Sequence, residues 1–110
     1  MKIQPATGSF ARNLIYSTKP AFGTPAQQSG IVEQAEEIFS QICKIVTAEG
    51  ADFSSLIKVT IFITSFDEIN ALREVLYRYY GDHLPASSLV EVSRLFAPDL
   101  KIEIETLFAL

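Results

Sequence analysis

The 110-residue sequence predicts an α+β domain, a small mixed β-sheet with two helices packed on one face. Three observations lead there. Apolar and polar residues alternate over Leu56–Thr64 and again over Lys101–Phe108, the period of a half-buried strand. Two longer stretches, around 30–50 and 66–80, repeat their apolar residues at helical spacing. Two helices cover only one face of a sheet, so the other is left without a layer from its own chain.

In chain order, Met1 to Ser9 contains Pro5 and Gly8 and predicts an irregular lead-in. Phe10 to Ser17 is a first strand centred on Leu14-Ile15-Tyr16, and the turn-rich Lys19–Pro25 allows at most a short or edge strand. Ser29 is placed to cap a helix whose stripe is Ala35, Ile38, Phe39, Ile42, Ile45 and Val46, with Gly50 as its C-cap. Leu56–Thr64 follows as a strand with Ile57, Val59, Ile61 and Ile63 facing the core. A second helix runs from about Phe66 to Tyr80, capped by Ser65 or Asp67, with Ile69, Leu72, Leu76 and Tyr79 or Tyr80 inward. Two strands close the chain, Ser88–Leu95 and Lys101–Phe108, joined through Ala97-Pro98-Asp99; in the last, Ile102, Ile104, Thr106 and Phe108 share one face.

The chain has the length of one domain, 1–110, with no internal repeat or interdomain linker. A formal net charge of −4 offers no basic field for phosphate backbones, so nucleic acid is a poor partner. The single cysteine, Cys43, cannot form an internal disulfide, no positively charged leader opens the chain, and no apolar run approaches the roughly 20 residues of a membrane span. The expected location is cytoplasmic. On the uncovered face the alternation places Phe62, Leu89 and Leu107 among Lys58, Thr60, Glu91, Glu103 and Glu105. An exposed apolar face of this kind implies a partner, and closed homo-oligomerisation is its simplest source.

The run Pro85-Ala86-Ser87-Ser88-Leu89-Val90-Glu91-Val92-Ser93-Arg94-Leu95, followed by Lys101-Ile102-Glu103-Ile104-Glu105, resembles the carboxyl-terminal signature of the Rid family, also called YjgF or L-PSP. Asn13–Ser17 is similar to the family's early strand and Ile57–Ile63 to its Val-Lys-x-Thr-Val-Phe strand. The resemblance covers the chain from about Arg12 onward. It implies the YjgF/chorismate-mutase-like fold and a homotrimer whose ligand clefts lie between neighbouring subunits. It also implies cofactor-free hydrolysis of 2-aminoacrylate and related enamines or imines to 2-keto acids and ammonia.

Such chemistry needs an arginine fork for the substrate carboxylate and an acidic residue to hold the attacking water. By resemblance, Glu103 matches the acidic residue. The substrate-binding positions fall at Ser17, Thr18, Arg73, Ser87 and Leu89, and most depart from the family pattern. Ser87 stands where the carboxylate-binding arginine would be, Leu89 replaces a small residue or cysteine, and Thr18 replaces a glycine. Arg73 falls where many members carry an asparagine, and the His83–Pro85 loop is shorter than usual. Losing a hydrogen bond to a charged group removes about 1.5–3 kcal/mol, roughly ten- to a hundredfold in binding. Arg73, in the second helix, is a candidate to restore that guanidinium; its plainer reading is a solvated surface charge.

Other chemistry-bearing residues have blander readings. His83 has no cysteine or carboxylate at metal spacing, and Cys43 beside the apolar stripe reads as a packing residue. Glu103 and Glu105, about 7 Å apart on one strand, fit a catalytic pair or solvated interface charges equally. Tyr77, Tyr79 and Tyr80 read as helix-to-sheet packing and cleft wall. Three functions follow: an enamine/imine deaminase using Glu103 and Arg73 on a small carboxylate-containing metabolite; a non-catalytic metabolite-binding or regulatory trimer; and an endoribonuclease or translation inhibitor. The acidic charge and single histidine weigh against the last.

Overall fold

The computed structural model describes the backbone of residues 13–18 and all of residues 30–110. The predicted lead-in, the start of the first strand at Phe10, the turn-rich 19–25 segment and the Ser29 cap lie outside the described residues. Four strands, β1 (Asn13–Thr18), β2 (Leu56–Ile63), β3 (Ala86–Glu91) and β4 (Ile102–Ala109), form one sheet in the order β1-β4-β2-β3. β4 is antiparallel to both neighbours and β2 is parallel to β3, so the sheet is mixed as the sequence predicts. The helices are α1 (Ile31–Ala48) and α2 (Ile69–Tyr80), and a short 3-10 turn, Phe53–Ser55, leads into β2.

α1 buries Ile38, Phe39, Ile42 and Val46 against Val59, Ile61, Ile63, Ile102, Ile104 and Phe108 of the sheet, all essentially inaccessible to solvent. α2 adds Leu72, Val75 and Leu76 to the same core. The Phe39 ring organises its aromatic part, stacking on Tyr79 at 5.0 Å and meeting Phe53 at 5.9 Å and Tyr80 edge-on at 6.1 Å. At the end of α1, Gly50 adopts φ +76°. The amides of Gly50 and Ala51 donate to the carbonyls of Thr47 and Val46, the closure that a left-handed glycine permits.

Three local expectations are corrected. α2 begins at Ile69, three residues later than its apolar pattern, because Ser65 Oγ accepts from the Asp67 amide at 3.0 Å in a turn ahead of the helix, and neither residue caps it. A register shift between Leu56 and Lys58 makes a bulge that turns Leu56 into the core in place of Ile57. β3 starts and ends earlier than predicted and lies at the sheet edge, with β2 between it and β4 despite their adjacency in sequence.

The parallel pairing of β3 sets Leu89 beside Ile61 and Glu91 beside Ile63, on the helix-covered side. Leu89 packs against the core, and Val90, paired with Phe62, takes its expected place on the open face. Alternation alone misassigned this strand because none of its side chains is fully buried, leaving no apolar contrast to fix its phase. The open face therefore carries Phe62, Val90 and Leu107 with Lys58, Thr60, Ser88, Glu103 and Glu105.

Candidate functional site

α2 sets Arg73, Leu76, Tyr77 and Tyr80 at i, i+3, i+4 and i+7, one stripe along the helix. That stripe lines one side of a cleft of about 290 Å³. Leu84 and Pro85, leading into β3, and Ser87 and Leu89 within it form the facing side, with Ile61 of β2 between. The cleft exists because β3, parallel to β2, must be reached by a crossover, and α2 is that crossover. Its last turn and the short loop after Gly81 stand directly beside the strand they feed.

The cleft carries exposed polar side chains and one buried polar group. Arg73 is exposed, and among the described residues it has no ion-pair or hydrogen-bond partner. Ser87 is exposed on the edge strand. Tyr80, in contrast, is only 5% exposed, and its hydroxyl is buried with no hydrogen-bond partner among the described residues. Burial pushes the Tyr80 phenol far above its ordinary range, with a smaller push from Tyr77 beside it. Tyr77 and Leu84 are more than half exposed where they line the same cleft.

Of the residues singled out from sequence, Arg73, Ser87 and Leu89 thus come together. Glu103 does not join them within one chain: it pairs with Phe62 on the open face, across the sheet from the cleft. Ser17 and Thr18 pair with Glu105 and Ile104 on β1, at the sheet edge opposite β3. The tyrosines divide by role. Tyr77 and Tyr80 line the cleft, whereas Tyr79 stacks on Phe39 and its hydroxyl donates to Glu36 at 3.4 Å. Sequence reading missed the buried Tyr80 hydroxyl; the i, i+7 spacing from Arg73 was the signal that could have found it.

Chemically, one chain's cleft offers a guanidinium, a serine hydroxyl and apolar walls. That set can hold a carboxylate and an apolar body, but it contains no carboxylate or imidazole to activate water. Among the described residues no group of three His, Cys, Asp or Glu side chains gathers as metal ligands, and no helix is long and apolar enough to cross a membrane.

The sequence model of the family described as Endoribonuclease L-PSP matches residues 13–110. Protein DfrA of Myxococcus xanthus is 34% identical over 80 residues, 73% of this chain and 60% of that protein. A protein of Dermatophagoides farinae named 2-iminobutanoate/2-iminopropanoate deaminase is 32% identical over 77 residues, 70% of this chain and 59% of that one. The chain thus spans about 60% of the length of these relatives. Among solved structures, a Mycobacterium tuberculosis member of the YjgF/YER057c/UK114 family superposes with a TM-score of 0.76 at 23% identity, covering 89% of this chain and 79% of that one. At that identity the likeness concerns the fold.

Proposed function

The chain belongs to the Endoribonuclease L-PSP family, also called Rid or YjgF, and from that premise we propose that it hydrolyses imines of small carboxylic acids in clefts shared between the copies of a homotrimer. The observation that carries this reading is Arg73, a guanidinium without a partner among the described residues, lining one cleft with Ser87. The arginine that the β3 position lacks is replaced from across the cleft, by the helix. A forked guanidinium holds a carboxylate bidentately wherever in the cleft wall it originates.

The reaction adds water to the imine carbon. The water oxygen bonds to carbon and one of its protons passes to nitrogen; the new hydroxyl then gives its remaining proton to the amine as the C–N bond breaks, and a 2-keto acid and ammonia leave. The acidic group that orients the water is Glu103 of a neighbouring copy, since Glu103 lies on the opposite face of the sheet from its own chain's cleft. An oligomer built on the open face supplies it, because Glu103 stands on that face beside Phe62. Relatives named as imine deaminases support the reaction class.

A second reading, a trimer that binds the metabolite without turning it over, is favoured by Ser87 itself. The two separate in one assay. Freshly generated 2-aminoacrylate is followed above its uncatalysed hydrolysis with wild type, Arg73→Ala and Ser87→Arg. Acceleration by wild type that Arg73→Ala abolishes supports the deaminase; a silent wild type with an active Ser87→Arg supports the binding protein.

A further inference from the structure

Large apolar side chains left in solvent are ordinary when scattered and informative when they gather. Of the five such side chains among the described residues, two line the same cleft: Tyr77, 58% exposed, and Leu84, 66% exposed. Resting on the reading of Arg73 as the carboxylate's partner, we infer that Tyr77 and Leu84 form the subsite for the substrate's own side chain, and that the cleft prefers imines of 2-oxo acids with a large apolar side chain to those with a methyl group.

The path of the chain puts both residues where that side chain extends. Gly81 ends α2 at φ +61°, its amide donating to the Tyr77 carbonyl at 3.0 Å, and three residues later Leu84 stands on the wall facing the helix. α2 is the return between two parallel strands, so it runs opposite to β3. Tyr77 follows Arg73 by four residues, about 6 Å along the helix, and Leu84 precedes Ser87 by three. On oppositely directed elements these two displacements share one direction, from Arg73 and Ser87 toward the loop. A 2-oxo acid whose carboxylate lies at Arg73 can thus lay its side chain between the Tyr77 ring and Leu84, and a cleft of about 290 Å³ has room for it. Arg73 is the only charged side chain among the described residues lining the cleft, so an acidic or basic substituent finds no second partner there. A methyl group leaves Tyr77 and Leu84 in water, whereas a larger apolar group covers them. Each CH2 fully buried favours binding roughly fourfold.

The test is calorimetric binding of two stable 2-oxo acids, 2-oxopropanoate and 4-methyl-2-oxopentanoate, which keep the carboxylate and side chain of the corresponding imines. Wild type is expected to bind the larger acid about tenfold or more tightly, since its three further carbons are partly buried. Tyr77→Phe keeps the ring and should keep the preference. Tyr77→Ala combined with Leu84→Ala should bring the two acids within about twofold of each other while keeping the affinity for 2-oxopropanoate. Both side chains are exposed, so the double variant folds. Arg73→Ala should weaken both acids alike. Equal affinity of wild type for the two acids, or a preference that survives the double variant, overturns the Tyr77–Leu84 subsite and leaves the Arg73 reading standing. Failure of wild type to bind either acid, or affinities that Arg73→Ala leaves unchanged, overturns both.

Discussion

Gln34 and Lys101 are joined by a hydrogen bond in which the Lys101 amide donates to Gln34 Oε1 at 2.9 Å, while Gln34 Nε2 donates to the Asp99 carbonyl at the same distance. Gln34 is fully buried in the first turn of α1, so one side chain closes two backbone groups of the irregular segment that delivers β4. Two residues beyond this clamp lies Glu103. The position of the proposed acid is therefore set from the helix layer on the far side of the sheet.

Replacing Gln34 with Ala leaves both backbone groups short of a partner. Both groups are part-buried, so the expected loss is about 1 kcal/mol for each, the net worth of an ordinary hydrogen bond. Chemical denaturation should show a clear fall in stability for Gln34→Ala, and an unchanged midpoint would mean that water serves the segment as well as the side chain does.

Tyr80 gives stability a dependence on alkaline pH. Its phenol holds its proton more firmly in the folded chain than the ordinary value of 10.0, because the buried site disfavours the phenolate. Below pH 10 both folded and unfolded chains carry the proton and no pH dependence arises. As pH rises past 10 the unfolded chain loses its proton first, so stability falls toward the higher folded value. Tyr79 is shifted in the same direction, chiefly by burial. Thermal unfolding from pH 8 upward should decline above about 10, and Tyr80→Phe should flatten part of that decline.

The open face predicts an oligomer. Phe62, Val90 and Leu107 present apolar area there that no other described element of the chain covers, with Val90 41% exposed. Phe62→Asp places a charge in the middle of that surface. Light scattering coupled to gel filtration should give wild type a mass about three times that of the chain, and Phe62→Asp that of a monomer.

The sequence shows the layers of this fold more clearly than its edges. β2 and β4 alternate because helices bury one face and not the other, so their phase reads directly, and the stripes of α1 and α2 do the same at helical period. β3 lies at the sheet edge with no side chain fully buried, so its alternation carries no phase, and Leu89 faces the helices and not the open face that alternation predicts. The place of Ile57 is not legible because a bulge is a matter of pairing, which one strand's sequence does not contain. The cleft was half legible. Arg73 and Ser87 could be named by motif position, but their meeting depends on α2 being the crossover into a parallel strand. The importance of Tyr80 depends on burial, which three neighbouring tyrosines do not reveal by themselves.

The most direct measurement of the central claim, a site made from Arg73 of one copy and Glu103 of the next, is complementation between inactive variants. Arg73→Ala and Glu103→Gln are each assayed alone on 2-aminoacrylate, then unfolded together, refolded as a mixture and assayed again. Each variant alone should be silent. In a random mixture about a quarter of the clefts join an intact Arg73 to an intact Glu103, so activity should return to about that fraction of wild type. A mixture that stays as silent as its components, from trimers shown to contain both chains, would contradict a site shared between subunits.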